Sequence, residues 1–370
     1  MKINISKATF SSIVGIGQKV KKASLESGEE YLELNRGVNA VSEIDLSKII
    51  PQIDFNSKEI QVYAPNLGIE SLRRNISKEY FPTSDIDIKN IAILPGGMPA
   101  LDLVIQTLNV ENIIFPKFYW GSYSKMATIR NKSFSFYDSL SDIESDKLND
   151  SSCIFICDPN NPTGKKMNDE YLLEMIKKIS STGCGVIFDS PYRKLFKDVS
   201  KSNIDIHDKI SNMDNVIITE SFSKWIGLSG CRIGFIHCKN RDFNSELNIR
   251  ILYEFNGISS VSQIIIDKVL STPEGIKSQF DFRKITTDNI KKNIDYLKDR
   301  NLLVEEIYGD EIPVGIFAII NKSEDLLFTN KIGAVGLDKF VYHEKDIWSN
   351  YSRICVSINH DVFRKFFDKL

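Results

Sequence analysis

The sequence has no apolar run approaching the roughly 18 residues that a membrane-spanning helix requires, so no transmembrane segment is expected. Its opening stretch, MKINISKATFSSIVGIGQKVKK, holds only a short apolar part broken by serine and glycine, and no small-residue cleavage site follows. A secretory signal is therefore not expected, and a cytoplasmic location is. None of the six cysteines (Cys153, Cys157, Cys184, Cys231, Cys238, Cys355) forms a C-x-x-C pair. His207, His237, His343 and His360 stand at no metal-ligand spacing. That usage points to reduced, mostly buried thiols and to no metal site. Charge of one sign is also missing: the formal net charge of −2 gives no general attraction to nucleic acid or anionic membranes. No G-x-G-x-x-G follows a strand-like run, which disfavours a dehydrogenase.

What the chain does have is length and alternation. Its 370 residues exceed one small core, and two domains are the natural expectation. Short strand-like runs at 91–94, 112–115, 133–137, 153–157, 186–189, 215–219 and 233–238 alternate with helical patterns such as 100–108 and 169–180. Such alternation predicts an α/β fold with a mostly parallel sheet between helices. After about residue 243 the pattern changes to two long helices, 244–270 and 276–306, and then a short α+β stretch. A helical pattern at 6–27 and an extended one at 31–41 are expected to pack with that stretch. The expected division is 1–45 as an N-terminal arm and part of a small domain, 46–275 as the large domain, and 276–370 as the C-terminal small domain.

In such a sheet, ligands bind at the carboxyl ends of the strands. Four motifs fall there. Leu94-Pro95-Gly96-Gly97-Met98-Pro99 reads as a strand end, a glycine pair and a helix start. Free N–H groups and the helix dipole would suit a phosphate, and proline is tolerated in a first helical turn. Asp158-Pro159-Asn160-Asn161-Pro162-Thr163-Gly164 is a longer run of turn formers than a simple turn needs. It can hold the Asn161 amide rigidly over a ligand. Asp189-Ser190-Pro191-Tyr192 ends the apolar run 186–188, where Asp189 can pair with a positive group in the cleft. In Ser221-Phe222-Ser223-Lys224-Trp225-Ile226-Gly227-Leu228-Ser229-Gly230-Cys231-Arg232-Ile233-Gly234, a lysine stands among small and apolar residues. Desolvation lowers a lysine's pKa and makes its amine nucleophilic. Arg232 offers a fixed cation for a phosphate.

Together the four motifs resemble the class I/II aminotransferases, which are fold-type I pyridoxal-phosphate (PLP) enzymes, over roughly residues 35–357. The resemblance is sharpest at NNPTG, Asn160 to Gly164, and at the run from Ser221 to Gly234. It implies the PLP-dependent transferase fold type I: a seven-stranded, mostly parallel sheet in a large PLP-binding domain, plus a smaller α+β domain built from both termini. It also implies that Lys224 carries PLP as a Schiff base and shuttles the substrate's α-proton, while Asp189 pairs with the ring nitrogen. Tyr192 and Asn161 then face the ring's phenolic oxygen, and Gly97, Met98, Ser221, Ser223 and Arg232 hold the phosphate. The stacking aromatic is Phe118 by spacing from Pro116, or Trp120 if the loop differs. Tyr63, in Tyr63-Ala64-Pro65-Asn66-Leu67-Gly68, reaches the neighbouring subunit's phosphate in the family, which implies a homodimer with shared sites. Ser352-Arg353-Ile354-Cys355-Val356-Ser357 resembles the segment in which Arg353 clamps the α-carboxylate of the substrate. Asn35-Arg36-Gly37-Val38-Asn39, with Gly37, resembles the N-terminal substrate segment, and Asn161 is counted with the substrate side too.

The implied activity is amino-group transfer between an amino acid and a 2-oxo acid. A PLP lyase, decarboxylase or cyclase of specialised amino-acid biosynthesis is the alternative on the same scaffold, since Lys224 and Asp189 serve all of them. A non-catalytic regulator of this fold would need an added DNA-binding domain, for which the pattern, starting near residue 35, leaves no room. Two departures stand out. Met98 occupies a position where a polar side chain is usual, leaving only its backbone for phosphate. The stretch after residue 262 is short, so side-chain recognition is poorly constrained.

Overall fold

Residue-by-residue alternation decides how the central sheet is built. In strands β1 (Ile91–Leu94), β2 (Asn112–Pro116), β3 (Ser133–Tyr137), β4 (Ser152–Cys157), β5 (Gly185–Asp189), β6 (Val216–Ser221) and β7 (Gly234–Cys238), successive side chains enter opposite faces. Ile154, Ile156, Val186 and Phe188 feed one apolar cluster, while Cys153, Phe155 and Ile187 feed another across the sheet. Both faces are covered, so the central strands read as near-continuous apolar runs rather than alternating ones. Fully burying a side chain such as Phe155 contributes roughly 1.5–3 kcal/mol.

The protein is described here from a computed structural model that covers residues 1–197 and 204–370. Its seven-stranded sheet has the order β1-β7-β6-β5-β4-β2-β3. Neighbours are parallel except at β7, which runs antiparallel to both β1 and β6. Because β7 is reversed, it begins at the edge where its neighbours end: Gly234 is paired with both Leu94 and Ser221. A three-stranded antiparallel sheet carries β8 (Phe317–Ile320), β9 (Val335–Gly336) and β10 (Ser352–Cys355), with β10 in the middle.

Helices α1 (Ser12–Ser27), α2 (Glu70–Tyr80), α3 (Gly97–Thr107), α4 (Ser122–Ile129) and α5 (Asp169–Ser180) precede a C-terminal helical set. That set is α6 (Arg241–Phe255), α7 (Ser260–Ser271), α8 (Pro273–Asp299) and α9 (His360–Phe367). The run 244–270, expected as one helix, is two. Asn256 takes a left-handed cap at φ 49°, Gly257 follows at φ 101°, and the Ser259 side chain caps α7. Helix α8 starts earlier than expected because Thr272 caps it and Pro273 fills its first turn. It stops at Asp299, short of the expected 306, and a separate turn of helix spans Glu305–Tyr308. Helix α1 starts at Ser12 rather than at residue 6. Of the extended run 31–41, only Leu32–Glu33 forms a strand, paired in parallel with Ile332–Gly333. The chain then bends so that Asn35, buried, can bond its amide to Ile13 O at 2.9 Å.

Candidate active site

The first wall is a glycine turn. Gly96 sits at φ 101°, a conformation that side chains rarely adopt, and a Cβ there would come within 2.5 Å of Arg232 Nη2. A Cβ on Gly234 would meet Glu220 O at 2.5 Å and Gly97 N at 3.1 Å. The missing side chains let the end of β1, the end of β6 and the start of β7 close on one another. The N-terminus of α3 then lies beside the Ser221 and Ser223 hydroxyls, which are 3.0 Å apart, and beside the Arg232 guanidinium. Arg232 is itself in the left-handed region at φ 52°, and its Nη1 donates to Ser229 O at 2.9 Å. Unsatisfied N–H groups, two hydroxyls and a fixed cation form a cradle for an anion.

The second wall carries the titratable pair. Lys224 sits in the single helical turn that follows β6, and its Nζ donates to Gly37 O. Burial, followed by the charges of Arg232 and Arg353, holds its ammonium down at about 8, although Cys355 opposes the shift. Asp189 ends β5. Burial pushes its carboxyl up to about 7; the hydrogen bond from Tyr123 pulls it down and the charge of Glu220 adds to the rise. Tyr123 Oη donates to Asp189 Oδ2, and Thr219 Oγ1 donates to Oδ1 at 3.2 Å. Behind it, Ser190 Oγ donates to Glu220 Oε1 at 2.7 Å and lies 2.8 Å from His207 Nε2.

The third wall joins the two sheets. The loop 158–164 is locked by Gly164 N to Asn160 O at 2.8 Å and Thr163 N to Asn160 Oδ1 at 3.1 Å. Gly164 abuts β8, where a Cβ would overlap Phe317 O at 2.0 Å. The Asn161 amide, thus fixed, donates to Tyr192 Oη at 3.3 Å and accepts from Arg353 Nη1 at 3.1 Å. Burial raises the Tyr192 hydroxyl well above its usual range, so it stays a hydrogen-bond donor at neutral pH. Arg353, on β10, is 1% exposed and lies between the rings of Phe317 and Phe340, with 4.3 Å and 4.6 Å to their centroids. Its Nη2 donates to Asn35 O, and its Nε is buried without a partner. Burial lowers it to about 10, so it remains a cation at neutral pH.

These walls enclose a cavity of about 370 Å³, within the ~300–1,000 Å³ range of small-molecule sites. Gly37, Gly97, Met98, Asn161, Asp189, Tyr192, Ser221, Ser223, Lys224, Arg232 and Arg353 all line it. Two of the expected residues do not. Phe118 points away, edge-on to the Trp348 ring at 5.0 Å, and Trp120 takes a place in the cavity wall instead. The expectation of Phe118 over the cofactor ring is therefore corrected. The loop after β2 turns so that Tyr119 N bonds Phe340 O at 3.0 Å, which packs Phe118 toward the smaller sheet. Tyr63 is 81% exposed and outside the cavity of its own chain. Tyr123, Arg36 and the α1 residues Ile13 and Val14 line the cavity without having been singled out. Tyr123 lies on the first turn of α4, and nothing in Gly121-Ser122-Tyr123 signals that it faces Asp189 across the sheet.

The donor set fits PLP: an anion cradle at one end, a carboxylate for a ring nitrogen, an amine of lowered pKa, and an amide–phenol pair for a phenolic oxygen. Among the described residues no His/Cys/Asp/Glu cluster could hold a metal ion, and no helix is long and apolar enough to cross a membrane. The family model for aminotransferase class I and II matches residues 30–367. A histidinol-phosphate aminotransferase of Pelagibacter ubique is 24% identical over 290 residues, which span 76% of this chain and 75% of the relative. One from Clostridium kluyveri is 26% identical over 317 residues, spanning 83% and 80%. In fold, the chain is similar to the Thermus thermophilus aspartate aminotransferase solved with maleate: TM-score 0.83 and 15% identity, covering 100% of this chain and 99% of the other. The chain belongs to the class I and II aminotransferases, PLP-dependent enzymes that transfer amino groups.

Proposed function

We propose that Lys224 carries PLP and moves the substrate's α-proton, that Asp189 faces the ring nitrogen, and that Arg353 binds the α-carboxylate of an amino acid or 2-oxo acid. The observation that carries this reading is the meeting of Lys224, held down at about 8, with Asp189 and Arg353 in one cavity. Bound there, PLP would act as an electron sink for the α-carbon. Near neutral pH a lysine at about 8 can take up and return a proton at Nζ, which suits general acid–base work. Tyr192 and Asn161 are the candidates for the phenolic oxygen. The backbone of Gly97 and Met98 with Ser221, Ser223 and Arg232 are the candidates for the phosphate, and Trp120 replaces Phe118 as the candidate ring neighbour. The test is borohydride reduction of the PLP-loaded protein and peptide mapping. Label on Lys224 is expected, and label on another lysine overturns the assignment.

A phosphorylated amino alcohol as one substrate is a second reading, favoured because the curated relatives are named for histidinol phosphate. The reading includes a homodimer with shared sites. Tyr63 and Val62 are exposed, as are Ile249, Leu252 and Tyr253 on α6, and Asn66 Nδ2 ties the two segments together by donating to Asn248 O at 2.8 Å. An exposed apolar group of this kind suits burial against a second copy. It also includes the division at residues 45 and 275 and a cytoplasmic location, which the six free cysteines support.

A further inference from the structure

Strand β6 reads Val216-Ile217-Ile218-Thr219-Glu220-Ser221, and its acidic side chain lies inside the protein: Glu220 is 1% exposed. Alternation along β5 and β6 turns Asp189 and Ser221 toward the cavity and sends Glu220 and Ser190 to the opposite face of the sheet, which Phe188 and Ile218 help to fill. A carboxylate buried there is costly unless polar groups surround it. Ser190 Oγ donates to its Oε1 at 2.7 Å, the Ser221 amide donates to Oε2 at 3.2 Å, and His207 Nε2 lies 3.1 Å from Oε1. His207 stands on the turn Ile206–Ile210, 5.2 Å from the Tyr80 ring and 5.6 Å from the Phe188 ring. Its Nδ1 is 3.5 Å from Oδ1 of the partly exposed Asp205.

The two donors to Glu220 stand behind opposite ends of the cofactor site. Ser190 directly follows Asp189, the candidate partner of the ring nitrogen. Ser221 opens the anion cradle, where its hydroxyl is 3.0 Å from that of Ser223. Glu220, Ser190 and His207 do not themselves line the cavity. Stability alone does not call for a carboxylate here, because well-packed apolar residues commonly serve as well as a buried charged cluster. The charge of Glu220 also acts through the sheet on Asp189: burial and Glu220 raise that carboxyl, whereas Tyr123 and Thr219 lower it. Cys157 on β4 and Tyr192 are the other titratable groups near Asp189, and Tyr80 on α2, His207 and Asp205 are those near Glu220. A second negative charge behind Asp189 favours a protonated, cationic ring nitrogen in front of it.

We propose that Glu220 is a positioning residue for the cofactor: from the far face of the sheet it braces Ser190 and Ser221 and keeps a negative charge behind Asp189. The inference rests on the reading that Asp189 faces the ring nitrogen.

The test uses the full-length protein and its Glu220→Gln, Glu220→Asp and Glu220→Ala variants. Glutamine can keep its oxygen on the Ser221 amide and turn its NH2 toward the Ser190 hydroxyl, so it removes the charge and spares the shape. Aspartate keeps the charge and shortens the reach. Asp189 is followed in the cofactor-free protein as the carboxyl band of pH-difference infrared spectra that is missing from Asp189→Asn. In the wild type it should titrate near about 7. In Glu220→Gln it should titrate at least about half a pH unit lower, and in Glu220→Asp it should stay near the wild-type value. Glu220→Ala, which loses the brace altogether, should bind PLP about tenfold more weakly at equilibrium, whereas Glu220→Gln should stay within about threefold. An unmoved band in Glu220→Gln, or an equal fall in Glu220→Gln and Glu220→Asp, would overturn the proposal, since mere loosening of the site affects both variants. Wild-type PLP affinity in a folded Glu220→Ala would overturn it too, and if that variant does not fold, the glutamine and aspartate variants still decide. In the loaded enzyme the acid limb of kcat/KM should move down with the band in Glu220→Gln. A band that moves while the limb stays would sink the reading of Asp189 as the ring-nitrogen partner and leave the action of Glu220 on Asp189 established.

Discussion

Tyr123, on the first turn of α4, donates its hydroxyl hydrogen to Asp189 at the end of β5, and both side chains are buried. Burial keeps the phenol protonated by raising it well above its usual range, so the phenol donates whenever Asp189 is ionised. That bond is one of the two pulls on Asp189 that oppose its desolvation, the other being Thr219. Tyr123→Phe should therefore push Asp189 further up. A lost hydrogen bond to a charged group costs about 1.5–3 kcal/mol, equivalent to about one pH unit or more. The acid limb of kcat/KM against pH should move up by that amount, while Tyr123→Trp or other bulky changes report only packing. An unmoved limb in Tyr123→Phe would mean that Asp189 does not govern it.

Asp189 itself makes a stability prediction for the cofactor-free protein. Its folded value of about 7 lies above the ordinary carboxylate value, so the folded state holds the proton more tightly than the unfolded state. Stability from this group is complete below about 4 and is lost as pH rises toward about 7. Asp189→Asn should flatten the melting temperature over that window in the cofactor-free form. Turnover of the loaded enzyme should fall sharply at the same time, because an amide cannot balance a protonated ring nitrogen. Normal turnover in Asp189→Asn would assign the ring nitrogen to another partner.

Much of this site is legible in the sequence because each strand end carries its own local chemistry. Lys224, Asp189, Asn161 and the Gly96-Gly97 turn sit within or just after apolar runs whose ends the sequence marks with glycine, proline or a capping side chain. Strands 133–137 and helix 169–180 match their observed bounds for the same reason. The break at Asn256-Gly257 needs a left-handed conformation that a hydrophobic pattern does not register, although the Asn-Gly pair is itself a turn signal. Spacing from Pro116 selects Phe118 over Trp120, but the turn of the loop depends on a bond from Tyr119 N to Phe340 O, more than 200 residues away, which spacing does not register. Tyr123 joins the cavity through tertiary packing alone, whereas Arg36 enters it with Gly37 and Val38, in the segment whose resemblance pointed to the substrate side.

The depressed lysine predicts a pH dependence for cofactor capture. Lys224 is at about 8 through burial first, with Arg232 and Arg353 adding repulsion. The neutral amine is the nucleophile, so the observed rate of PLP capture by the cofactor-free protein should climb with pH and level off above about 8. Removing the charge in Arg353→Gln should move that midpoint upward, since one repulsive neighbour is gone. Stopped-flow absorbance measures both. A midpoint that stays near an ordinary lysine value in the wild type would contradict the buried environment.

Sharing between subunits can be read from a mixing experiment. Lys224→Ala lacks the amine, and Tyr63→Ala lacks the hydroxyl assigned to the partner's phosphate. In a mixed dimer with shared sites, one site regains both residues. Random exchange should return roughly a quarter of wild-type activity, since half the dimers are mixed and each has one intact site. No recovery after verified exchange, or a monomer by light scattering at assay concentration, counts against sharing.

Arg353 is the residue on which substrate class turns. Its guanidinium is buried between Phe317 and Phe340, one nitrogen donates to Asn161, another to Asn35 O, and Nε has no partner. The stacked rings fix the plane of the fork, and the unpartnered Nε leaves donor capacity for a carboxylate. Orienting that carboxylate fixes which bond at the α-carbon faces the ring, so its loss should reach kcat as well as KM. A charge-assisted bond of about 1.5–3 kcal/mol converts to roughly ten- to a hundredfold in kcat/KM. Arg353→Lys keeps a charge but loses the fork, and should remain impaired. The deciding comparison is an amino acid against its decarboxylated amine, in wild type and in Arg353→Gln. Selective loss on the amino acid is expected, because the amine has no carboxylate to lose contact with. Equal loss on both would show that Arg353 supports the architecture at Asn35 and Asn161 without reading the carboxylate.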